Sequence, residues 1–422
     1  MSLPKDTEIG TLVDHLFRNQ YGKMVAVLTS IFGLEHLGMA EDMVQDTLLE
    51  AFQRWSYGKV PPNPEAWLML VAKNKALNAL KREKVKQKVY QAQQYESHRP
   101  DDLDHFFGAA EIEDSQLRMM FACCHPAISK EDQIAMVLKT LCGFGNKEIA
   151  RALLLGEEAI NKRLYRAKQT FKKQQLQLTV PTGADLNKRL DAVCTGLYLL
   201  FNEGYNSHQG ETLIRKDLCL EAMRLCQLLL VHFPDKTKLP ALLALMCFHV
   251  ARFDSRIDNK GALIIFADQD RSFWNTSLIQ SGMYYLAEAS KGDTFSAYHL
   301  EASIAAQHCH ATSLETTNWK FIQTLYQKLY ELKPSPVILL NLAIVAGQVN
   351  GPKEALKQLQ LLLSERKLAN YHLLHATLGE VHLQLGNHSK ALAAFQQAMQ
   401  CHPSAKEQAF LKEKITRLDQ SS

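Results

Sequence analysis

Three stretches of the 422-residue chain gather side chains whose types and spacing suit chemistry or recognition. The first is Asn146 to Lys173, NKEIARALLLGEEAINKRLYRAKQTFKK. Its second half carries Asn161, Lys162, Arg163, Tyr165, Arg166 and Lys168, with Lys147 and Glu158 nearby. Such groups hold phosphates or base edges when a helix enters the major groove. The second is a basic run, with Lys73, Lys75, Lys81, Arg82, Lys84, Lys86 and Lys88 against one acid, Glu83. Positive charge beside an aromatic suits a strand whose bases can be unstacked. The third is Cys123-Cys124-His125. Adjacent cysteines fit poorly into one tetrahedral shell, and no second cysteine pair stands at zinc-site spacing. We therefore expect no metal there, only two small buried residues and a helix end at His125-Pro126.

The elements that must position these groups read as helices. In Asn146–Lys173, Lys147 to Leu154 would put Ile149, Ala150 and Leu153 inward. Gly156 would supply a tight turn. A second helix would bury Ala159, Ile160, Leu164 and Ala167. Upstream, Leu12, Leu16, Phe17, Met24, Val25, Leu28, Ile31 and Phe32 follow helical steps. Glu41 to Phe52 places Met43, Val44, Leu48 and Phe52 on one face, with Glu41, Asp42, Asp46 and Glu50 largely off it. Pro61, Pro62 and Pro64 break the chain, and Pro64-Glu65 starts a new helix. That helix carries Trp67, which we expect in the core. Residues 83–112 are polar and poorly periodic, and Pro181-Thr182-Gly183 marks a further boundary.

Composition fits this picture. Apolar residues make up 46% and charged residues 22%, ordinary for a globular chain. At ~100–200 residues per domain the length suggests two to four domains. Thirteen prolines and twenty glycines favour long helices over a turn-rich β fold. The net charge of +4 argues for no partner by itself, so recognition must rest on local clusters. Nine cysteines without a CxxC suit reduced thiols. The first residues lack the apolar core of a signal peptide, and the most apolar stretch, 239–251, is short for a membrane span. The expectation is an all-α, cytoplasmic protein with no membrane contact. No phosphate-binding glycine loop, HExxH or GxSxG stands in it, so no catalysis and no cofactor are expected.

Near the C-terminus, YHLLHATLGEVHLQLGNHSKALAAFQQAMQCHPS carries Leu378-Gly379, Gly386, Ala391, Phe395, Ala398 and Pro403 at tetratricopeptide spacing. A weaker copy, Leu340, Ala343 and Glu354-Ala355-Leu356, precedes it, with a turn at Gln348 to Pro352 that reads as lengthened.

Two sets of these residues resemble the extracytoplasmic-function group of sigma-70 factors. Ala40-Glu41-Asp42-Met43-Val44-Gln45-Asp46-Thr47, Pro64-Glu65-Ala66-Trp67-Leu68 and Ala72-Lys73-Asn74-Lys75-Ala76-Leu77-Asn78 resemble region 2. Residues 114–173 resemble region 4. The resemblance implies that Asp42, Gln45, Asp46 and Glu50 bind the β′ clamp helices of RNA polymerase core, with the β flap as a further core contact. It implies that Lys73, Asn74, Lys75, Asn78, Lys81 and Arg82 meet the melted minus-10 element. It implies that Lys147, Glu158, Asn161, Lys162, Arg163, Tyr165, Arg166 and Lys168 read the minus-35 element of promoter DNA. One departure stands out: many relatives carry threonine-valine near the start of the second helix, where this chain has Glu158-Ala159-Ile160. Acids at 157 and 158 either repel phosphate or accept from cytosine.

Asn202-Glu203-Gly204-Tyr205 resembles the NEGY signature of a subgroup with a tetratricopeptide-like extension, which implies modulation in cis. A protein or a ligand partner for that extension stays open. Locally, Gly204 would end a helix by taking a positive φ. The expected organisation is region 2 over 8–83, a linker over 84–112, region 4 over 113–176, a helical NEGY-containing domain over 184–290, and helical repeats over 291–418. The competing expectation is a helix-turn-helix and tetratricopeptide regulator or scaffold that binds DNA without replacing sigma. The acidic helix 41–50 separates the two, since a repressor has no use for a clamp-binding face.

Overall fold

A computed structural model describes residues 5–58, 60–89, 103–153, 155–205, 216–256, 264–365, 368, 370–401, 403 and 405–419. Every regular element among them is helical. The chain divides into two compact units, residues 1–204 with 216–229, and residues 205–215 with 230–422.

In the first unit, α1 (Lys5–Phe32) lies at the centre, between α2 (Leu37–Tyr57) and α3 (Pro64–Val89) on one side and α5 (Ala109–Cys123) and α6 (Lys130–Thr140) on the other. The short α4 (Leu103–Phe106) leads into α5. Met24 to Thr29 are buried all round rather than along one stripe, as a helix covered on both sides must be. The Thr29 hydroxyl is satisfied by Val25 O at 2.7 Å. Gly22 is what admits α6: a Cβ there would stand 2.0 Å from the backbone oxygen of Leu141.

Asn63 caps α3 through Ala66 N at 3.0 Å. The helix then runs on through Val89, past the expected start of the linker at 84. Residues 81–89 are mostly Lys, Arg, Glu and Gln, which favour helix, with only Val85 and Val89 as an apolar step. At the other end, α5 begins at Ala109, and residues 90–102 lie outside the described set.

The helix pair expected at 146–173 is α7 (Asn146–Ala152) and α8 (Glu157–Lys173). Gly156 is not the device that turns the chain. Its φ is −74°, extended backbone open to any residue, and a Cβ there meets nothing. The turn is held instead by Leu155 N donating to Ala150 O at 2.7 Å.

Helices α9 (Gly183–Tyr205) and α10 (Lys216–His232) pack on α5 and α6, with the unit boundary falling at the end of α9 and within α10. The Cβ of a residue at 196 would press to 2.9 Å from Val137, and Arg224 Nη2 donates to Gln116 Oε1 at 3.2 Å. The boundary between the units thus runs through the expected 184–290 domain. Gly204 does not terminate α9 by a positive φ: it is buried inside the last helical turn. The Glu203 side chain lies outside the described residues.

The second unit is built on α11 (Lys238–Val250), buried on nearly every side. It is followed by α12 (Thr276–Ala289), α13 (Ala297–His310), α14 (Trp319–Leu332), α15 (Pro336–Asn350), α16 (Pro352–Leu362), α17 (His372–Gln384), α18 (His388–Gln400) and α19 (Ala405–Asp419), each packed on its neighbour. Gly379 and Phe395 lock α17 to α18, since any Cβ at 379 would enter the phenyl ring at 2.5 Å. In the weaker copy Leu359, fully buried, takes the place of the phenylalanine. Its turn is not lengthened. Gly351, at φ +88°, joins α15 directly to α16, and the extra residues extend α15 instead.

Near α11, Arg252 stacks 4.3 Å from the Phe266 ring centre, and Arg271 lies 5.0 Å from Trp274. His308 sits edge-on to Phe266 and Trp319. Burial, reinforced by the two guanidiniums, pushes the imidazole of His308 down to about 4. Tyr205 is covered by Arg256, 3.7 Å from its ring centre, and its carbonyl accepts from Arg256 Nη1 at 2.6 Å.

Candidate nucleic-acid interface

The outer face of α2 carries Asp42, Gln45 and Asp46, all exposed. Glu50 is drawn aside, bonded to Arg54 at 2.8 Å and Lys75 at 3.1 Å. Two apolar residues join this face, Leu49 and Phe52, 55% and 45% exposed. Phe52 was expected inside with Met43, Val44 and Leu48. Eight helical steps from Val44 carry it ~80° around the axis, beside Gln45 and Leu49. Trp55, eleven steps on, returns to the inner face and is buried. Helical spacing of 45, 49 and 52 was the available signal for the apolar part of this face. Carboxylates beside exposed apolar groups suit a protein partner and repel phosphate.

On α3, Asn74, Asn78 and Lys81 fall within ~60° of arc, with Arg82 at its edge. All four are exposed. Lys73 and Lys75 stand about 100° to either side of Asn74, Lys75 falling close to Arg82. Lys75 is committed to Glu50, so the six expected contacts do not share one surface. Trp67 is half-buried, its ring 5.3 Å from that of Trp55, with the Arg54 guanidinium 5.8 Å away.

On α8, Ile160, Leu164, Ala167 and Phe171 form the buried stripe. Glu158, Asn161, Lys162 and Tyr165 share the outward face, and Tyr165 is 65% exposed. Lys162 pairs with Glu158 at 2.7 Å, which neutralises the acid that departs from the family pattern. Lys147 on α7 is exposed, and Asn146 Nδ2 donates to Asn161 Oδ1. The remaining cations are engaged internally. Arg166 makes a two-point bond to Asp132, at 2.8 and 3.2 Å. Arg163 donates to Glu131 O at 3.4 Å. Lys168 pairs with Glu41 on α2, a carboxylate expected largely off the apolar face but buried in the structure, where this ion pair meets its Oε2. With Ser30 donating to Ser115 at 3.0 Å, that bond ties the first three helices to α5–α8.

Asn202, Glu203 and Gly204 belong to the first unit and Tyr205 to the second. Cys123 and Cys124 are buried, and Cys123 Sγ lies 3.1 Å from the Thr140 hydroxyl. Burial pushes the Cys123 thiol up to about 12, which removes thiolate character. Among the described residues, no three His, Cys, Asp or Glu side chains meet as a metal would require, and no helix is long and apolar enough to cross a membrane.

Comparisons with known proteins concern the modules that carry these faces. Residues 16–85 match the Sigma-70 region 2 family and residues 118–171 the Sigma-70, region 4 family. Residues 189–290 match a family of unknown function, DUF6596. The chain is 33% identical over 389 residues to the uncharacterized protein R00370 of Rhizobium meliloti (strain 1021), covering 91% of this chain and 90% of that one. Among solved structures, the human IFIT1 dimer with m7Gppp-AAAA aligns over 94% of this chain and 95% of that one at 13% identity. Its TM-score of 0.29 is too low to carry any argument. Sigma regions 2 and 4, in that order and followed by a DUF6596 module, place the chain in the sigma-70 family of RNA polymerase sigma factors.

Proposed function

We propose that the chain is a sigma factor of the extracytoplasmic-function type, acting in the cytoplasm, that directs RNA polymerase core to its promoters under the control of its own C-terminal extension. The observation that carries this reading is the pairing of two unlike surfaces on adjacent helices. The acidic and apolar face of α2 suits the β′ clamp helices, and Asn74, Asn78, Lys81 and Arg82 on α3 suit an unpaired minus-10 strand. Lys162, Asn161 and Tyr165, with Lys147, supply a minus-35 reading face. The β flap is the further core contact. Arg166 and Lys168 join the DNA contacts once released from Asp132 and Glu41. Control in cis is supported by α9 and α10, which lie against region 4 within one unit. The tetratricopeptide-like second unit, ending in α15–α19, offers a surface for a protein partner.

The test is run-off transcription with purified core polymerase. Wild-type chain should give promoter-specific transcript. The double reversal Asp42→Lys with Asp46→Lys should lose core binding while keeping duplex DNA binding. Folded wild-type chain that gives no transcript above core alone refutes the sigma reading, and DNA binding without core binding favours a regulator that does not replace sigma.

A further inference from the structure

Where α9 lies against region 4 it leaves a cavity of about 520 Å³. One wall is the α5–α6 connection and the start of α6. The other is one face of α9, residues 188 to 195. The lining is mainly apolar, from Cys124, Ile128, Ile134 and Ala192. Its charged residues are Lys130, Lys188 and Arg189 against one carboxylate, Asp191. The volume and the position at a junction of modules are those of small-molecule sites.

Arg189 is the group that points to a ligand. It is only 8% exposed, yet it is incompletely bonded. Its Nη2 takes Asp185 at 3.1 Å, and its Nε is buried with no hydrogen-bond partner. Leaving a guanidinium N–H buried and unmet is costly, and an oxyanion in the cavity meets it with a charge-assisted bond. Lys188 and Lys130 are exposed and add positive potential. The same field acts on His125 beside the cavity, whose imidazole is held below its ordinary value by burial and by Arg189.

We infer that this cavity binds a small organic anion, an acidic head group on an apolar body. The head lies at Arg189 and Lys188, and the body against Ile128, Ile134 and Ala192. Such a ligand touches region 4 and the first helix of the extension at once. It binds only while the two are packed and therefore holds them together. Its effect on transcription rests on the proposed control in cis; the binding itself does not.

The experiment is a fluorescence titration of the full chain with 8-anilinonaphthalene-1-sulfonate and with its uncharged parent, N-phenyl-1-naphthylamine. The sulfonate should bind at one saturable site. Ala192→Trp, which fills the cavity, should weaken both probes at least tenfold. Arg189→Met should weaken the sulfonate at least tenfold and the amine less than twofold. Lys188→Gln, at an exposed position that leaves folding intact, should weaken the sulfonate about threefold and leave the amine unchanged. Circular dichroism confirms that each variant is folded. Sulfonate affinity within twofold of wild type in Ala192→Trp overturns the proposal, as does equal weakening of both probes by Lys188→Gln. A chain that binds the sulfonate here but fails to direct transcription overturns the sigma reading and not this one.

Discussion

Gly22→Ala tests the central packing of the first unit. The added methyl would stand 2.0 Å from Leu141 O, 2.8 Å from its carbonyl carbon and 3.0 Å from its Cα. Ordinary van der Waals contact begins at 3.4 Å, so α1 and the end of α6 must separate by more than 1 Å. No rotamer relieves the clash, because the obstructing atoms are backbone. The neighbouring turn cannot absorb it either, since Met24 to Leu28 are already packed without exposure. Overpacking costs ~1–3 kcal/mol, and a backbone clash belongs at the upper end. About 3 kcal/mol lowers Tm by roughly 6–12 °C for a unit of this size. The control is Gly38→Ala on α2, where a Cβ meets nothing. That change should be neutral or stabilise by up to ~1 kcal/mol through helix propensity. Urea and thermal unfolding, followed by circular dichroism, measure both. A Gly22→Ala chain within ~0.5 kcal/mol of wild type would refute the account of α1 as a helix wedged between two bundles.

Two further outcomes follow. The Glu41–Lys168 pair has side chains 6% and 33% exposed, between the surface and buried limits. A double-mutant cycle with Glu41→Gln and Lys168→Met should therefore return a coupling of about 1–3 kcal/mol, and a value under ~0.3 would show the pair to be ornamental. His308 is neutral when folded, its folded value of about 4 lying below the ordinary 6.5. Its contribution is intact above pH 6.5 and is lost as pH falls toward 4, since the unfolded chain then takes the proton. At pH 5 the loss is about 2 kcal/mol. His308→Phe should flatten the unfolding profile over that window, read by tryptophan fluorescence, and an unchanged profile would contradict the assignment.

The helices proposed for recognition were legible where they bury one stripe. Ile160, Leu164 and Ala167 could be read from spacing alone, and the exposed residues of α8 followed. Where a helix is covered on two sides, as α1 is at Met24–Thr29, a single-face reading understates its burial. At 84–89 only Val85 and Val89 break a run of Lys and Gln, too short an apolar period to mark the helix by spacing alone. Phe52 and Trp55 show a third limit: a large apolar residue near the stripe is assigned inward unless the angle is followed over two turns. Pairings at long separation were invisible. Nothing local says that Lys168 meets Glu41, 127 positions away, or that Lys75 is held by Glu50. The division of the 184–290 span between two units depends on such distant contacts too, and so does the cavity at Arg189.

The internal bonds of α8 also shape how the chain meets DNA in salt. Binding of free lysines and arginines to a duplex expels condensed cations, and affinity falls with salt in proportion to the number of phosphates neutralised. Arg166 and Lys168 each arrive already paired with a carboxylate. Passing either from Asp132 or Glu41 to a phosphate exchanges one anion for another, and the abandoned carboxylate must recruit a cation from solution. Part of the ion release that normally drives association is thereby returned. Region 4 should show a gentler salt dependence than its count of basic residues suggests, and the base contacts proposed for Asn161 should weigh correspondingly more in its choice of site.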